Sequence, residues 1–482
     1  MIFKNKKCYI FPYSRLSENL KDYLIDNEAK FLGFIDNDYK NKKQAISIDS
    51  INNNFDYILI FSPNYSQSIY NQLIQIISKL KIICVSLSIY NIYNFSYNIV
   101  DMLTIEEQEK KDIQDIISKF SIQYQLENKI LLIGIDFIDL NIKYLYLYLK
   151  KYSKYNVYLA TDSLRDIKIF NSYGINVIYI YSLKFFELIF KCKIKIIDHT
   201  PVSQILIDCM KVGKSIQLWH GITIEKLGHL ANYKVIEYDR VLSTSQFVSD
   251  YSFSKLYRYK KLLHCGYPRN DILYFDNIEL INVDLQLLNQ MQNDNNKYII
   301  YMPTHRLYGF KNNPINYKQL NDFGKKYNIK FIIKMHPFIA EQFREDLSKY
   351  QTLNYKFTNL IIYPANMDIY PLLKYSDMLI ADYSSVYFDY LFVDKPIVFF
   401  PYDYKEWIES EKGTRIDYFS YSPGDKCYNV DELLEKILDN LKYDSYKIER
   451  KNIFNKMFFN QTKQASYLLM QEIENMLENS DE

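Results

Sequence analysis

The sequence predicts an α/β protein of three Rossmann-like units, and three observations lead to it. Strand and helix patterns alternate throughout, which implies parallel sheets. The alternation begins afresh near Lys7, near Lys129 and at Tyr298. Finally, an apolar run from Met378 ends in Asp382-Tyr383-Ser384-Ser385, an amphipathic run starts there, and a second apolar run follows at Ile397, so the stretch reads as a βαβ unit.

The first unit spans residues 1–100. Lys7–Phe11, Phe31–Ile35, Asp56–Phe61 and Ile82–Ser86 read as strands, with helices over Ser17–Ile25 and Ser66–Leu80. Its first turn, Pro12-Tyr13-Ser14-Arg15-Leu16, has none of the glycines that let a backbone approach a pyrophosphate, which argues against dinucleotide binding. Asp36-Asn37-Asp38 reads as a turn rather than a metal site. A connecting helix is expected within 101–128, over Thr104–Phe120.

The second unit, 129–275, carries strands at Ile130–Ile135, Asn156–Ala160, Ile175–Tyr181, Lys193–Ile197, Ser215–Leu218, Arg240–Thr244 and Lys261–Cys265. Gly213 stands where a glycine closes the helical run Ser203–Lys211. The third unit, 276–455, has strands at Tyr298–Met302, Lys330–Lys334, Asn359–Tyr363, Met378–Ala381 and Ile397–Phe400, and a C-terminal helix is placed at 456–482.

Composition bounds the function. The 59 basic and 57 acidic residues leave a net charge of +2, so no global field marks a nucleic-acid binder. The six cysteines form no Cys-x-x-Cys pair, which argues against a zinc ribbon and a disulfide framework and fits a reducing cytosol. No run approaches the ~18 apolar residues of a membrane span. The N-terminus lacks the apolar core and cleavage site of an export signal. The 48 tyrosines are spread along the whole chain and carry no functional weight.

Chemistry concentrates at strand ends. His220 follows Gln217-Leu218-Trp219 and precedes Gly221; His305 lies in Pro303-Thr304-His305-Arg306; His336 lies in Lys334-Met335-His336-Pro337. Open α/β sheets bind ligands beyond the carboxyl ends of their strands, so these positions and Asp382–Ser385 can converge on one cleft. Ser384 and Ser385 fall at a helix start, whose unpaired N–H groups suit a phosphate. Asp382 or Ser384 serves there equally as a plain N-cap.

Together these residues resemble the CDP-glycerol glycerophosphotransferase family, which includes teichoic acid and capsule polymerases. The resemblance runs through Trp219-His220-Gly221, Lys226-Leu227-Gly228, Ser243-Thr244-Ser245, Gly266-Tyr267-Pro268-Arg269-Asn270-Asp271, Pro303-Thr304-His305-Arg306 and Lys334-Met335-His336-Pro337. It continues through Asp377–Ser385 to Asp389, Lys395-Pro396 and Tyr402-Asp403. Residues 1 to about 125 lie outside it. Where the family often has Trp before the arginine this chain has His305, and Ile222-Thr223-Ile224-Glu225 replaces the usual run before Lys226.

The resemblance implies a GT-B fold of two facing Rossmann-like domains, acceptor-side first and nucleotide-binding second, preceded here by the small N-terminal unit. It implies attack of an acceptor hydroxyl on a CDP-activated alditol, glycerol phosphate foremost, with release of CMP. Such chemistry requires a base near the hydroxyl and donors over the phosphoryl oxygens. His220 and His336 are the implied catalytic residues. Arg306, Thr304, Asp382, Ser384, Ser385, Lys226, Gly221 and Arg269 are the implied donor and phosphate contacts, with Asp382 orienting its turn. No metal or cofactor is expected beyond the CDP-activated donor. A GT-B glycosyltransferase or epimerase and a non-catalytic nucleotide-binding module are the alternatives.

The implied partners are a lipid-linked or polymeric acceptor and the membrane surface, met peripherally from the cytoplasm. Ile142–Tyr155, with Lys143, Lys150, Lys151 and Lys154 among leucines and tyrosines, can be read as touching anionic lipid. It reads more readily as the first helix of the second unit, its apolar side on the sheet and its lysines in water.

Overall fold

Each restart of the alternation closes into its own sheet. The computed structural model describes the chain except for residues 1–2, 27, 41, 43, 53, 62–65, 79–80, 89–95, 101–124, 136–140, 181, 202–203, 223, 225–235, 305, 307–313, 336–356, 411–413, 459–462 and 480–482. Two compact units emerge, Met1–Gln125 with Tyr179–Leu188, and Leu126–Ile178 with Ile189–Glu482. The expected connecting helix over Thr104–Phe120 lies outside the described residues.

The first sheet comprises β1 (Lys7–Phe11), β2 (Lys30–Ile35), β3 (Ala45–Ile46), β4 (Tyr57–Ile60), β5 (Ile82–Ser88) and β6 (Ser96–Val100) in the order β3-β2-β1-β4-β5-β6. The two-residue alternation of strands divides its side chains: Tyr9, Phe11, Ile58 and Ile60 fill one core, Cys8, Ile10 and Leu59 the other. Only β6 runs antiparallel to its neighbour. The helix expected over Ser66–Leu80 ends at Leu73. Ile74 and Ile76, which extend its apolar pattern in sequence, are exposed. Asp36 behaves as a turn residue, accepting from the backbone N–H of Tyr13 and Asp38 and pairing with Lys42.

The second sheet contains β7 (Glu127–Gly134), β8 (Asn156–Thr161), β9 (Val177–Tyr179), β10 (Cys192–Ile197), β11 (Lys214–Gln217), β12 (Glu237–Ser243) and β13 (Arg258–His264), ordered β13-β12-β11-β10-β7-β8-β9. The chain therefore reverses its direction of travel between β7 and β10. The third sheet contains β14 (Lys297–Met302), β15 (Ile329–Lys334), β16 (Leu360–Tyr363), β17 (Met378–Ala381) and β18 (Ile397–Phe399), ordered β16-β15-β14-β17-β18 and parallel throughout. Its reversal falls between β14 and β17. In such sheets the ligand crevice opens beyond the carboxyl ends at the reversal.

The last helix, Ala465–Glu478, returns to the second sheet instead of staying with the third. Arg240 of β12 donates to Glu472 at 2.5 Å, and Lys193 of β10 reaches the carbonyl of Leu477 at 2.9 Å.

The helix Asn141–Tyr152 decides between the two readings of Ile142–Tyr155 in favour of a packed first helix over a lipid contact. Ile142, Tyr144, Leu145, Tyr146, Leu147 and Leu149 are buried, and so is Lys143. Lys154 pairs with Glu478 of the last helix. The stretch is thus an amphipathic helix whose aliphatic side chains face protein, with Lys150, Lys151 and Tyr152 exposed. The ammonium of Lys143 meets the carboxylate of Asp368, which follows β16, and the hydroxyl of Tyr144 donates to the same carboxylate. Both charged side chains are almost wholly buried, at 2% and 0% exposure.

Removing one member of a buried pair leaves a charge in a poor solvent, which typically costs ~3–5 kcal/mol. Lys143→Met is therefore expected to lower stability by about that amount in urea unfolding. A double Lys143→Met, Asp368→Leu variant should regain a substantial part of the loss. A single variant as stable as the parent would show that the pair holds nothing.

Candidate functional site

Two polar clusters stand at the reversal points of the second and third sheets. In the second sheet, β10 runs directly into Asp198 and His199, and the neighbouring β11 runs into Trp219, His220 and Gly221. Gln217 joins the two strand ends, its amide donating to the carbonyl of His199 at 3.1 Å and its oxygen accepting from the N–H of Trp219 at 2.8 Å. Asn141, buried at the start of its helix, donates to the carbonyl of Trp219 at 2.6 Å. These bonds hold Trp219 at φ +55°, a left-handed conformation that bulky residues avoid. The twist turns His220 out of the strand direction.

His220 is half-buried, its ring 3.9 Å from that of Trp219 between centroids. Its Nδ1 lies 3.2 Å from the carbonyl oxygen of Asp198. A carbonyl can only accept, so Nδ1 carries the hydrogen and the basic lone pair falls on Nε2.

Arg269 links this turn to the third sheet. From the turn after β13 its guanidinium donates to the carbonyl of His220 at 2.5 Å and to Asp389 Oδ2 at 2.6 Å. Asp389 also accepts from the hydroxyl of Tyr370 at 2.7 Å. Gly221 lies between the two sides. At its φ of +148°, a β-carbon would sit 2.8 Å from Arg269 Nη2 and 2.9 Å from Ser385 Oγ. A side chain there meets contacts tighter than real ones, so the glycine lets the His220 turn approach Ser385.

In the third sheet, Asp382 ends β17 and is fully buried. Its carboxylate accepts from Thr304 N and Oγ1 (3.0 and 2.5 Å) and from its own neighbour Tyr383 N at 2.6 Å. Asp382 thus ties the loop after β14 to the loop after β17 across the reversal, as a residue that orients its turn. Ser384 and Ser385 are half-buried just before a five-residue helix, Val386–Tyr390; Ser384 Oγ accepts from the N–H of Val386 at 3.4 Å, while Ser385 makes no side-chain cap bond.

Arg306 departs from expectation. It was expected in a phosphate cradle, but its guanidinium is fully buried. Nε and Nη2 donate to Asp403 at 2.7 and 3.0 Å, and Nη1 donates to the carbonyl of Thr304 at 2.7 Å and pairs with Asp382 at 2.9 Å. Burial opposes its charge, yet the two carboxylates outweigh that and hold it protonated. In this structure Arg306 braces the loop from behind. Arg269 is committed likewise, to Asp389 and to a carbonyl.

The structure therefore brings His220, Gly221, Arg269 and Ser385 together, and sets Thr304, Arg306, Asp382 and Ser384 around the neighbouring loop. His336 and Lys226 lie outside the described residues, as does His305. Among the described residues, no group of three or more His, Cys, Asp or Glu side chains converges as a metal site. Sequence reasoning missed Asn141, Asp198 and His199. Asp198-His199-Thr200-Pro201 stands at a strand end before a proline, the same context that singled out His336.

Comparison with known proteins bears on the family and the fold. The family profile of CDP-glycerol:poly(glycerophosphate) glycerophosphotransferase matches residues 118–475. The teichoic acid glycerol-phosphate primase of Bacillus subtilis (strain 168) is 27% identical over 288 residues, covering 56% of this chain and 71% of the primase. The teichoic acid poly(glycerol phosphate) polymerase of the same strain is 29% identical over 248 residues, covering 46% of this chain but 32% of the polymerase. Among solved structures, the wall teichoic acid polymerase TagF superposes with a TM-score of 0.59 at 19% identity, covering 78% of this chain and 96% of that one. A histidine-to-asparagine variant of TagF soaked with CDPG gives 0.61 at 18% identity, with 78% and 95% covered. At such identity the structures speak for the fold alone.

Asp271 closes the Gly266–Asp271 motif by capping the last helix. Its carboxylate accepts from the N–H groups of Ala465 and Ser466 at 2.7 and 3.0 Å. Burial nevertheless raises its pKa from 3.8 to about 7. The folded state then binds more protons than the unfolded state between those values, so this group's contribution to stability falls as pH rises through the window. The change amounts to roughly 4 kcal/mol at most. Asp271→Asn keeps an acceptor and removes the titration. Its melting temperature is expected to gain on the parent's as pH rises from 5 to 8, and a constant difference would contradict the assignment.

Proposed function

Because the chain belongs to the CDP-glycerol:poly(glycerophosphate) glycerophosphotransferase family, we propose that it transfers an alditol phosphate, glycerol phosphate first, from a CDP-activated donor to a hydroxyl of a growing cell-surface polymer. The acceptor oxygen attacks the β-phosphorus and forms the new P–O bond, the bond to the bridging oxygen breaks, and CMP leaves with that oxygen. The acceptor proton passes to His220 Nε2. The observation that carries the reading is the geometry of His220: a base nitrogen set by the Asp198 carbonyl, on a turn that a glycine brings against Ser385 of the facing sheet.

In this reading the second and third sheets are the halves of a GT-B pair, with the acceptor met by 129–275 and the nucleotide by 276–455. Ser384, Ser385 and Thr304 face the donor phosphates. His336 and Lys226 supply donors to the diphosphate and the leaving group. Arg269, Arg306 and Asp382 hold the loops that present these groups. The reaction proceeds without metal, and the enzyme works peripherally at the cytoplasmic side of the membrane. Among the described residues, no helix is long and apolar enough to cross one.

The purified protein should release CMP from radiolabelled CDP-glycerol in the presence of acceptor, with CDP-ribitol tested alongside. UDP release from UDP-sugars in place of CMP would overturn the reading. His220→Ala and His336→Ala are each expected to lower turnover by at least ~100-fold with melting unchanged. Near-normal kinetics in both would remove the two histidines from the mechanism.

A further inference from the structure

Beneath His220 lies a polar pair that the transfer step leaves unassigned. Asp198 follows β10 at the reversal of the second sheet, and its side chain is fully buried. Oδ1 lies 2.8 Å from Nδ1 of His199, while Oδ2 is buried with no hydrogen-bond partner. The same residue's carbonyl holds Nδ1 of His220. The two imidazoles stack, with centroids 4.5 Å apart and planes 20° from parallel. One aspartate therefore orients both rings, His199 through its carboxylate and His220 through its backbone.

A buried carboxylate with a bare oxygen is costly to keep, and packing β10 does not require one. It is a source of negative charge under a ring that must become positive. We propose that His199 is a positioning residue for His220, and that Asp198, His199 and His220 titrate as one unit in which the two rings share a single proton. This rests on the reading of His220 as the base. When His220 Nε2 takes the acceptor proton, the Asp198 carboxylate offsets the imidazolium. The stack keeps His199 neutral at that moment, since two like charges at this separation oppose each other.

Among the described residues, Arg269 and Asp389 pair near His220. Arg269 donates to its carbonyl from the turn after β13, and Asp389 of the facing sheet neutralises Arg269. The hydroxyl of Tyr238 on β12 accepts from Gln217. Among the described residues, Asp198 is the charge left over.

The test is an NMR titration of the full chain with 13Cε1-labelled histidine, its six histidines assigned by substitution. In the parent, the His199 and His220 signals should each titrate in two steps. Asp198→Asn should lower the His220 midpoint by about one pH unit. His199→Asn keeps a donor near the Nδ1 position and cannot take a proton, so His220 should then titrate in one step with a higher midpoint. Shifts in the same direction, or unmoved midpoints, would overturn the proposal. Should Asp198→Asn fail to fold, the change from two steps to one in His199→Asn decides alone. In CMP release, His199→Asn should retain at least ~10-fold more kcat than His199→Ala at similar KM. Absence of CMP release by the parent would sink the functional reading, while the titration would still report whether the cluster is coupled.

Discussion

The arrangement of the site depends on one buried cation. Arg269 reaches from the second sheet to the carbonyl of His220 with one nitrogen and to Asp389 of the third sheet with another. Its guanidinium lies 5.4 Å from the ring centres of both Tyr267 and Tyr370. A charge so enclosed is tolerable only with its partners in place. The same contacts that satisfy it hold the His220 turn at a set distance from the loop after β17. Gly221 follows as a necessity, because a β-carbon at that position would occupy the space of Arg269 and Ser385. The bidentate geometry also explains why an arginine stands here: a lysine cannot bond a carbonyl and a carboxylate in fixed directions at once.

Both sheets meet the reversal point in the same way. In each, the strand on the far side of the reversal ends in a buried aspartate, Asp198 after β10 and Asp382 after β17. Each aspartate organises groups that follow a strand. Asp382 gathers Thr304 and Arg306 from the loop after β14. Asp198 gathers His199 beside it and His220 beyond β11. The difference lies in the partners. Asp382 has its carboxylate saturated by backbone, hydroxyl and guanidinium, whereas Asp198 keeps an oxygen bare and serves two rings that can change charge.

The strands were legible because a buried parallel strand reads as a short apolar run; β1, β14 and β17 match their expected ranges to the residue or nearly so. The two-residue β3 and the antiparallel β6 were not, since so short a pairing and an edge strand leave no periodic signal. The site shows the same division. His220, Gly221, Arg269 and Ser385 were readable as motif members, and the fold brings them together. The role of Arg306 was not readable, because what decides it is Asp403, which lies 97 residues further along the chain and takes two of its donors. Nor was the burial of Lys143, because a lysine inside an amphipathic run looks solvated until its counter-charge, Asp368, is located across the fold. Motifs identify which residues gather, but whether a cation is presented or consumed is settled by long-range pairing.

That distinction bears on how a diphosphate is held. Counted at ordinary charges, Asp198, Asp382, Asp389 and Asp403 bring four negative charges to the described part of the site, and Arg269 and Arg306 bring two positive ones. The cluster is net negative before any donor enters, and the Nη1 and Nη2 groups of both arginines already bond carboxylates or carbonyls. Such a framework orients loops well and attracts phosphate poorly. Under the proposed function, the cations that meet the donor come from elsewhere in the same motifs, a part assigned there to Lys226 and His336, which lie outside the described residues. The arginines then set where the loops stand, and the binding of the nucleotide falls to a separate set of side chains. This division would let the acceptor-side base remain in an anionic setting that favours its protonation, without the donor's phosphates having to share it.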